Sequence, residues 1–226
     1  MALEPEQAHY LGNVMRQAVG DFVCLFNGLH GEWSCRIEIL RKDRGIVVPE
    51  RQTRQQVADA PLTLVFAPLK RDTTNLVIEK ATELGVTRIQ PVFTERSNTL
   101  RLNLDRFSAI AREASEQCER LSVPEICPAM PLYTLLEAWN PVEKLHAAIE
   151  RSGAHSPAPS SNGTALLVGP EGGFSPTELD VMRRTPFVEA VGLGPRILRA
   201  ETACIVGLAL LQAAKWDNRG AAAAIS

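Results

Sequence analysis

The sequence predicts an α/β protein with a parallel sheet, preceded by a smaller region of antiparallel strands. Beyond residue 61, short apolar runs alternate with segments of helical periodicity, an order that is typical of a parallel α/β sheet. Before residue 49, short apolar stretches are separated by turn residues, which indicates small strands joined by tight turns. Residues 49–61 are polar and bracketed by prolines, so we expect a boundary there, with domains at residues 1–60 and 61–226.

The composition describes an ordinary globular protein without an overall basic surface. The 226 residues are 45% hydrophobic and 22% charged, and the formal net charge is -2. Binding to RNA would therefore depend on a local cluster of cations. Cations outnumber carboxylates between Arg36 and Arg54, but a solvated surface explains that run as well as an RNA contact does.

Nothing in the sequence points to a metal, a membrane or an oxidising compartment. The five cysteines are scattered, and neither they nor the four histidines have the paired spacing of a metal site. The chain has no apolar run long enough to cross a membrane, and it does not begin with a basic segment followed by an apolar one. We therefore expect a cytoplasmic protein with reduced thiols and no bound metal.

The elements of the two domains can be predicted in order. In the first domain we expect strands at residues 22–26 and 33–40. In the second we expect strands at 62–67, 88–93, 144–149, 165–168 and 188–193, and helices at 73–84, 105–119 and 201–215. A further helix begins at Ser175, where Pro176 and Glu178 complete a capping box, and residues 152–163 form a loop rich in Ser, Pro and Gly.

Two glycine-rich segments follow predicted strands of the second domain. Residues 169–174 read GPEGGF, and residues 193–202 read LGPRILRAET. Ligands bind at the carboxyl ends of strands in parallel sheets, so two such loops on one edge would form a small-molecule pocket. Neither segment has the spacing of a phosphate-binding or dinucleotide-binding loop. Taken singly, each loop is explained equally well as an ordinary turn.

The pair of motifs, GPEGGF followed by LGPRILRAETA, resembles that of the SPOUT class of methyltransferases. Within that class the sequence is most similar to the ribosomal small-subunit methyltransferase E family. Residues 79–86 (EKATELGV), 95–97 (ERS) and 116–118 (EQC) also resemble blocks of that family. The resemblance implies a SPOUT α/β fold with a deep C-terminal trefoil knot, preceded by a PUA-like β-barrel that binds RNA. Because only eight residues precede His9, we expect the first barrel strand to be shortened or missing.

The resemblance also implies an activity and its residues. It implies an S-adenosylmethionine-dependent enzyme that methylates N3 of a uridine in 16S rRNA, within the assembled small ribosomal subunit, as a homodimer. The expected donor-binding residues lie in the two glycine-rich loops and the start of the last helix: Val168, Gly169, Pro170, Glu171, Gly172, Gly173, Leu193, Gly194, Ile197, Leu198 and Thr202. The expected RNA contacts are basic: Arg16, Arg41, Lys42, Arg44, Arg96, Arg120 and Arg196.

Arg199 and Glu201 are the expected catalytic residues. Methylation of N3 of uracil requires removal of a weakly acidic proton, which a carboxylate can accept while a guanidinium stabilises the anion. Glu201 could equally form an ion pair with Arg196 or Arg199 at a helix start, where a carboxylate is favourable. Two other functions stay open: a non-catalytic RNA-binding module for ribosome assembly, and a methyltransferase acting on another rRNA or tRNA base.

Overall fold

A computed structural model describes residues 1–97, 101–149 and 164–223, with side chains up to residue 214. Contacts divide the chain into two units. The first comprises Met1–Ala58 with Arg120–Ser122, and the second comprises Asp59–Glu119 with Val123–Ser226. The predicted loop at residues 152–163 lies outside the described residues.

The first unit is built on a four-stranded antiparallel sheet. Its strands are β1 (Ala2–Leu3), β2 (Phe22–Phe26), β3 (Glu32–Arg41) and β4 (Arg44–Arg54), in the order β1-β4-β3-β2. Both predicted strands are confirmed, and the first strand is shortened to two residues, with Ala2 opposite Ile46. Its small core consists of Leu3, Leu11, Val23, Cys35, Ile37 and Val47.

Two features of this unit differ from the sequence prediction. A helix, α1 (Pro5–His9), continues into a π-helical turn at Tyr10–Val14, in a region without a predicted helix. It begins with a capping box in which the Glu4 backbone N–H donates to Gln7 Oε1. Periodicity could not reveal it, because five residues are less than two helical turns. β4 also extends to Arg54, into the predicted linker, because it is held by backbone pairing with β3 while its last residues stay exposed.

The second unit contains a parallel sheet, as predicted. Its strands are β5 (Thr63–Phe66), β6 (Arg88–Phe93), β7 (Glu125–Ile126), β8 (Met130–Pro131), β9 (Leu145–Ala148), β10 (Ala165–Val168) and β11 (Val188–Val191). The order is β11-β9-β10-β5-β6-β7, and β8 pairs with the last residues of β6. All five predicted strands are confirmed.

Helices cover both faces of this sheet. They are α2 (Arg71–Glu83), α3 (Leu104–Gln117), α4 (Leu132–Ala138), α5 (Pro176–Arg184) and α6 (Ala200–Ala223). Leu166 and Val168 pack into one core with residues of α2, α3 and α6, whereas Leu167 packs into another with residues of α4 and α5. The short central strands are therefore continuous apolar runs, since both of their faces are buried. Among the described elements of the second unit, α4, β7 and β8 were not predicted.

The last helix packs closely against the sheet and against α2. A Cβ atom at Gly207 would lie 2.7 Å from Leu166 Cδ2, so glycine allows α6 to approach β10. Farther along α6, the Gln212 side-chain amide donates to the Leu84 carbonyl at 2.8 Å, at the end of α2. α6 is thus anchored directly after the second glycine-rich loop. The trefoil knot stays a prediction from the family resemblance.

Candidate functional site

The two glycine-rich loops lie at the same edge of the parallel sheet. β10 and β11 both run parallel to β9 and pair with it on opposite sides. Their carboxyl ends, at Val168 and Val191, therefore flank the end of β9. Adjacent strands are about 4.8 Å apart, so the loops begin about 10 Å from each other, which suits a flat ligand such as a nucleobase. This topology brings the two loops to one edge of the sheet, which the sequence alone could only suggest.

The first loop, residues 169–174, is shaped by contact between its two ends. Gly169 and Pro170 are buried, and a Cβ atom at Gly169 would lie 2.9 Å from Phe174 Cε2. The Phe174 ring is itself buried in the core beneath α4 and α5. Glycine at position 169 is thus required by packing, whatever ligand the loop binds.

The middle of this loop is a tight turn. The Gly173 N–H donates to the Pro170 carbonyl at 2.8 Å, and Gly173 has a φ of 67°. Glu171 and Gly172 are exposed at its tip. Apart from Gly173 and its two chain neighbours, no described residue has an atom within 4 Å of the position that a Cβ would take at Gly173. Glycine there serves the backbone conformation and leaves open space beside the loop.

The second loop, residues 192–199, combines an apolar side with an exposed side. Leu193 and Leu198 are half-buried and pack against the core, whereas Arg196, Ile197 and Arg199 are exposed. Gly194 has a φ of 112°, again with open space where a Cβ would be. The loop is therefore held by its two leucines, while its polar and basic residues face solvent.

The candidate catalytic residues lie at the start of α6. The Arg199 carbonyl accepts the Ala203 N–H at 2.8 Å, so Arg199 caps the helix. Glu201 is half-buried in the first turn and Thr202 is exposed. Among the ion pairs of the described residues, none joins Glu201 to Arg196 or Arg199. For these described residues, the structure therefore does not show the ion pair with Arg196 or Arg199 that was the alternative role for Glu201.

A third loop, at residues 94–97 after β6, reaches the first glycine-rich loop. Arg96 Nη1 donates to the Gly172 carbonyl at 2.8 Å. Next to it, the Glu95 N–H donates to Glu178 Oε1 at 2.8 Å, and Glu178 Oε2 accepts the Ser175 N–H at 2.8 Å. The predicted capping box at Ser175 is confirmed, but the sequence did not indicate that Glu178 also binds the β6 loop.

The basic residues predicted to contact RNA are divided between the two units. Arg41, Lys42 and Arg44 are exposed at the tip of the β3–β4 hairpin. Arg16 is exposed after the π-helical turn, with a φ of 56°. Arg120, which by its contacts belongs to the first unit, donates to Ser122 Oγ at 3.0 Å. Arg96 and Arg196 belong to the loops of the second unit.

Ion pairs engage two arginines of the basic run of the first unit. Arg36 pairs with Glu50 at 2.7 Å, and Arg54 pairs with Glu32 at 3.7 Å. Within the described part of the chain, no ion pair involves Arg41, Lys42 or Arg44. The charge of the hairpin tip is thus available to a polyanion, and so is that of Arg51 on β4, which is exposed and also takes part in no ion pair of the described residues.

The residues at the sheet edge can recognise a nucleobase. The two loops at this edge contain glycines with positive φ and half-buried leucines, and a nucleobase can be recognised by backbone groups and apolar contact. The described residues contain no group of three or more potential metal ligands. Of the helices in the described ranges, none is both long enough and apolar enough for a membrane span.

Both ends of the chain match families of known proteins. Residues 57–212 match the model of the RNA methyltransferase domain, and residues 3–50 match that of the RNA methyltransferase PUA domain. The fold and the site therefore define an RNA methyltransferase of the SPOUT class with an N-terminal PUA domain.

Individual relatives identify the family of this chain within that class. The ribosomal RNA small subunit methyltransferase E of Rickettsia conorii is 35% identical, over 89% of this chain and 84% of its own. The enzyme of the same name from Bacillus subtilis is 28% identical, over 91% of this chain and 87% of its own. The chain belongs to the ribosomal RNA small subunit methyltransferase E family.

A solved structure supports the same assignment. The ribosomal RNA small subunit methyltransferase E of Neisseria gonorrhoeae, crystallised with S-adenosyl methionine, superposes with a TM-score of 0.78. It is 31% identical, and the match covers 94% of this chain and 91% of that one.

Proposed function

We propose that this protein transfers a methyl group from S-adenosylmethionine to N3 of a uridine in 16S rRNA. The observation that carries the proposal is the pair of glycine-rich loops on either side of β9, at one edge of a parallel sheet. The names of the relatives support ribosomal RNA of the small subunit as the substrate. The methyl donor bound to the Neisseria gonorrhoeae enzyme supports S-adenosylmethionine. The uridine and its N3 atom come from the resemblance of the paired motifs to the family.

Residues of both loops would hold the donor. In the first loop and at its preceding strand end they are Val168, Gly169, Pro170, Glu171, Gly172 and Gly173; in the second loop and at the start of α6 they are Leu193, Gly194, Ile197, Leu198 and Thr202. Apolar contact from the half-buried Leu193 and Leu198 suits the adenine ring. Open space beside Gly173 and Gly194 lets a ligand approach the backbone closely. When bound, the donor supplies an electrophilic methyl group on a positively charged sulfur.

Arg199 and Glu201 would activate the uracil. The Glu201 carboxylate would accept the N3 proton, directly or through one water molecule, which leaves an electron pair on N3. That pair would form the new bond to the methyl carbon while the carbon–sulfur bond of the donor breaks and leaves a neutral thioether. The Arg199 guanidinium would stabilise the negative charge that develops on the uracil ring. Two features support these roles: the two residues are neighbours at the start of α6, and no ion pair with Arg196 or Arg199 occupies the Glu201 carboxylate in the described residues.

The exposed cations of the first unit would bind the rRNA backbone. Arg16, Arg41, Lys42 and Arg44 are exposed, and cations of this kind contact phosphates without reading sequence. Arg120 and Arg196 would add contacts from other parts of the chain. An rRNA base has to leave its stack before N3 can react, which favours the assembled small subunit as the substrate that presents it.

The proposal includes a homodimer in the cytoplasm, supported by the family resemblance. The apolar residues of α6 do not add support, because Ala203, Cys204, Leu208 and Leu211 are buried in the protein's own core. Sedimentation equilibrium of the purified protein would test the dimer, and a mass equal to one chain at micromolar concentration would contradict it.

Two measurements test the function. Isothermal titration should show binding of S-adenosylmethionine to the purified protein, and absence of binding would leave a non-catalytic RNA-binding module. Incubation with the donor and small subunits from cells lacking this modification should then yield N3-methyluridine in digested 16S rRNA, detected by mass spectrometry. A different methylated nucleoside, or methylation of tRNA instead, would overturn the substrate assignment.

A further inference from the structure

We propose that Arg96 is a positioning residue for the donor loop, which it holds in shape before any ligand binds. The inference rests on the proposed function, since it assumes that residues 169–174 contact the methyl donor. It assigns to the loop after β6 a role in donor affinity that the sequence did not suggest.

Arg96 contacts one peptide unit at the turn of the first glycine-rich loop. The Gly172 carbonyl and the Gly173 N–H belong to the same peptide plane. The carbonyl accepts from Arg96 Nη1 at 2.8 Å, and the N–H donates to the Pro170 carbonyl at 2.8 Å. Both polar groups of this unit are therefore used inside the protein, and the orientation of the plane is set from two directions.

This peptide plane has little steric restraint from side chains of its own. Gly172 and Gly173 lack side chains, and consecutive glycines lose more conformational freedom on ordering than any other pair of residues. A Cβ atom at Gly172 would have only ordinary contacts, with Arg96 Cβ and Cδ at 3.6 Å, so no steric contact locks the turn. The bond from Arg96 thus carries much of the restraint on this part of the loop.

Arg96 projects from a loop whose other residues are held by hydrogen bonds. The backbone of the preceding residue, Glu95, donates to the buried Glu178 carboxylate. On its other side, the Ser97 hydroxyl accepts the Thr94 N–H at 2.9 Å, and the Ser97 N–H donates to the Thr94 carbonyl at 3.1 Å. The loop after β6 is therefore closed on itself and attached to α5.

Loss of the Arg96 side chain should weaken binding of the methyl donor. Without Arg96, the donor loop has to be ordered by the ligand, and part of the binding free energy is lost in ordering it. Loss of the hydrogen bond from the charged guanidinium, and of the loop order that it maintains, should lower the affinity for the methyl donor about ten-fold. A phosphate contact by the same side chain would instead affect RNA binding and its dependence on salt.

The test measures donor binding in the absence of RNA. Isothermal titration with S-adenosylmethionine would compare the wild type with Arg96→Ala, Arg96→Lys and the control Arg183→Ala, which removes another exposed arginine, one paired with Asp180 at 3.5 Å. We expect Arg96→Ala to weaken binding about ten-fold. Arg96→Lys should recover most of the loss, because an ammonium group can also donate to the Gly172 carbonyl, and Arg183→Ala should match the wild type.

Two further readouts separate positioning from other roles. The thermal unfolding midpoint of Arg96→Ala should stay within about 2 °C of the wild type, since the side chain is exposed. The salt dependence of RNA binding should also be unchanged. Equal donor affinity in wild type and Arg96→Ala would overturn the inference alone. A large fall in the unfolding midpoint of Arg96→Ala that Arg96→Lys does not recover would also overturn the inference. A wild-type protein that binds no donor would instead overturn the proposed function, and this inference with it.

Discussion

The Glu178 carboxylate accepts the backbone N–H of Glu95 at 2.8 Å, although 83 residues separate the two in sequence. Its second oxygen accepts the Ser175 N–H at the start of α5. The side chain is 1% exposed. One buried carboxylate therefore serves as a helix cap and as a tertiary contact to the loop that carries Arg96.

Glu178→Gln should destabilise the protein by about 1–3 kcal/mol. The amide keeps one acceptor but places an NH₂ group opposite a backbone N–H, so one buried donor loses its partner. Urea unfolding would measure the change. Asp180→Asn is the matched control on the same helix, because Asp180 is 62% exposed and should change stability very little. Equal stability of Glu178→Gln and wild type would show that having both carboxylate oxygens accept a backbone N–H contributes little to stability.

Gly169→Ala should lower both stability and donor affinity. The new methyl group would lie 2.9 Å from Phe174 Cε2, and neither the strand end nor the buried ring can move freely. We expect a loss of about 1–3 kcal/mol. Thermal unfolding and donor titration would measure the two effects. Gly172→Ala is the control, since its Cβ would meet Arg96 only at ordinary contact distance; an equal loss of stability in both variants would contradict the packing argument.

Glu201→Gln should reduce kcat by at least about 100-fold with little change in donor affinity. Glutamine has nearly the same shape but cannot accept a proton at neutral pH. Single-turnover methylation of small subunits, together with donor titration, would measure the two quantities. Glu137→Gln, an exposed change on α4, is the control. A kcat within two-fold of wild type, on the order of 0.4 kcal/mol in barrier height, would leave Glu201 as a helix-start residue only.

Replacing Arg41, Lys42 and Arg44 together by alanine should weaken RNA binding and lower its salt dependence. Each lost phosphate contact reduces the slope of log affinity against log salt by about 0.7–0.9, so the slope should fall by about two to three. Filter binding at several salt concentrations would measure it. Arg36→Ala is the control, because Glu50 already pairs with that guanidinium at 2.7 Å. A slope unchanged by the triple substitution would exclude the hairpin tip from the RNA contact.

Stability should fall as pH rises above the ordinary pKa of a thiol, and Cys204 should account for part of the fall. Burial, and then the charge of Glu201, raise the pKa of Cys204 well above its ordinary value of 9.0. Above pH 9.0 the unfolded chain releases this proton while the folded protein keeps it, so a higher pH favours unfolding. The expected loss is about 1.4 kcal/mol for each pH unit while only the unfolded thiol is ionised.

Urea unfolding of the wild type and Cys204→Ala between neutral and alkaline pH would measure this effect. The variant should be less stable at neutral pH, because it has a cavity, but its stability should fall less steeply with pH. Equal slopes would show that Cys204 ionises as easily in the folded protein as in the unfolded chain.

Much of the second unit could be predicted from the sequence because the signals are local. Strands with both faces buried are continuous apolar runs, and Ser175 with Glu178 marks the start of α5 within four residues. Parallel strands place the loops that follow them on one edge, so the two glycine-rich segments could be assigned together. The first unit was harder to predict. The last residues of β4 are exposed, and α1 is too short to show a period.

The sequence by itself determined the alternation of elements, the capping box, the two candidate loops and, through its motifs, the family. Only the tertiary structure decided that Arg96 binds the Gly172 carbonyl, that Glu178 binds the Glu95 backbone and that Phe174 packs on Gly169. The first two contacts join residues 76 and 83 positions apart. They depend on the order of strands in the sheet, in which only β5 lies between β6 and β10. Strand order is set by packing of the whole unit, so no local pattern in the sequence encodes it.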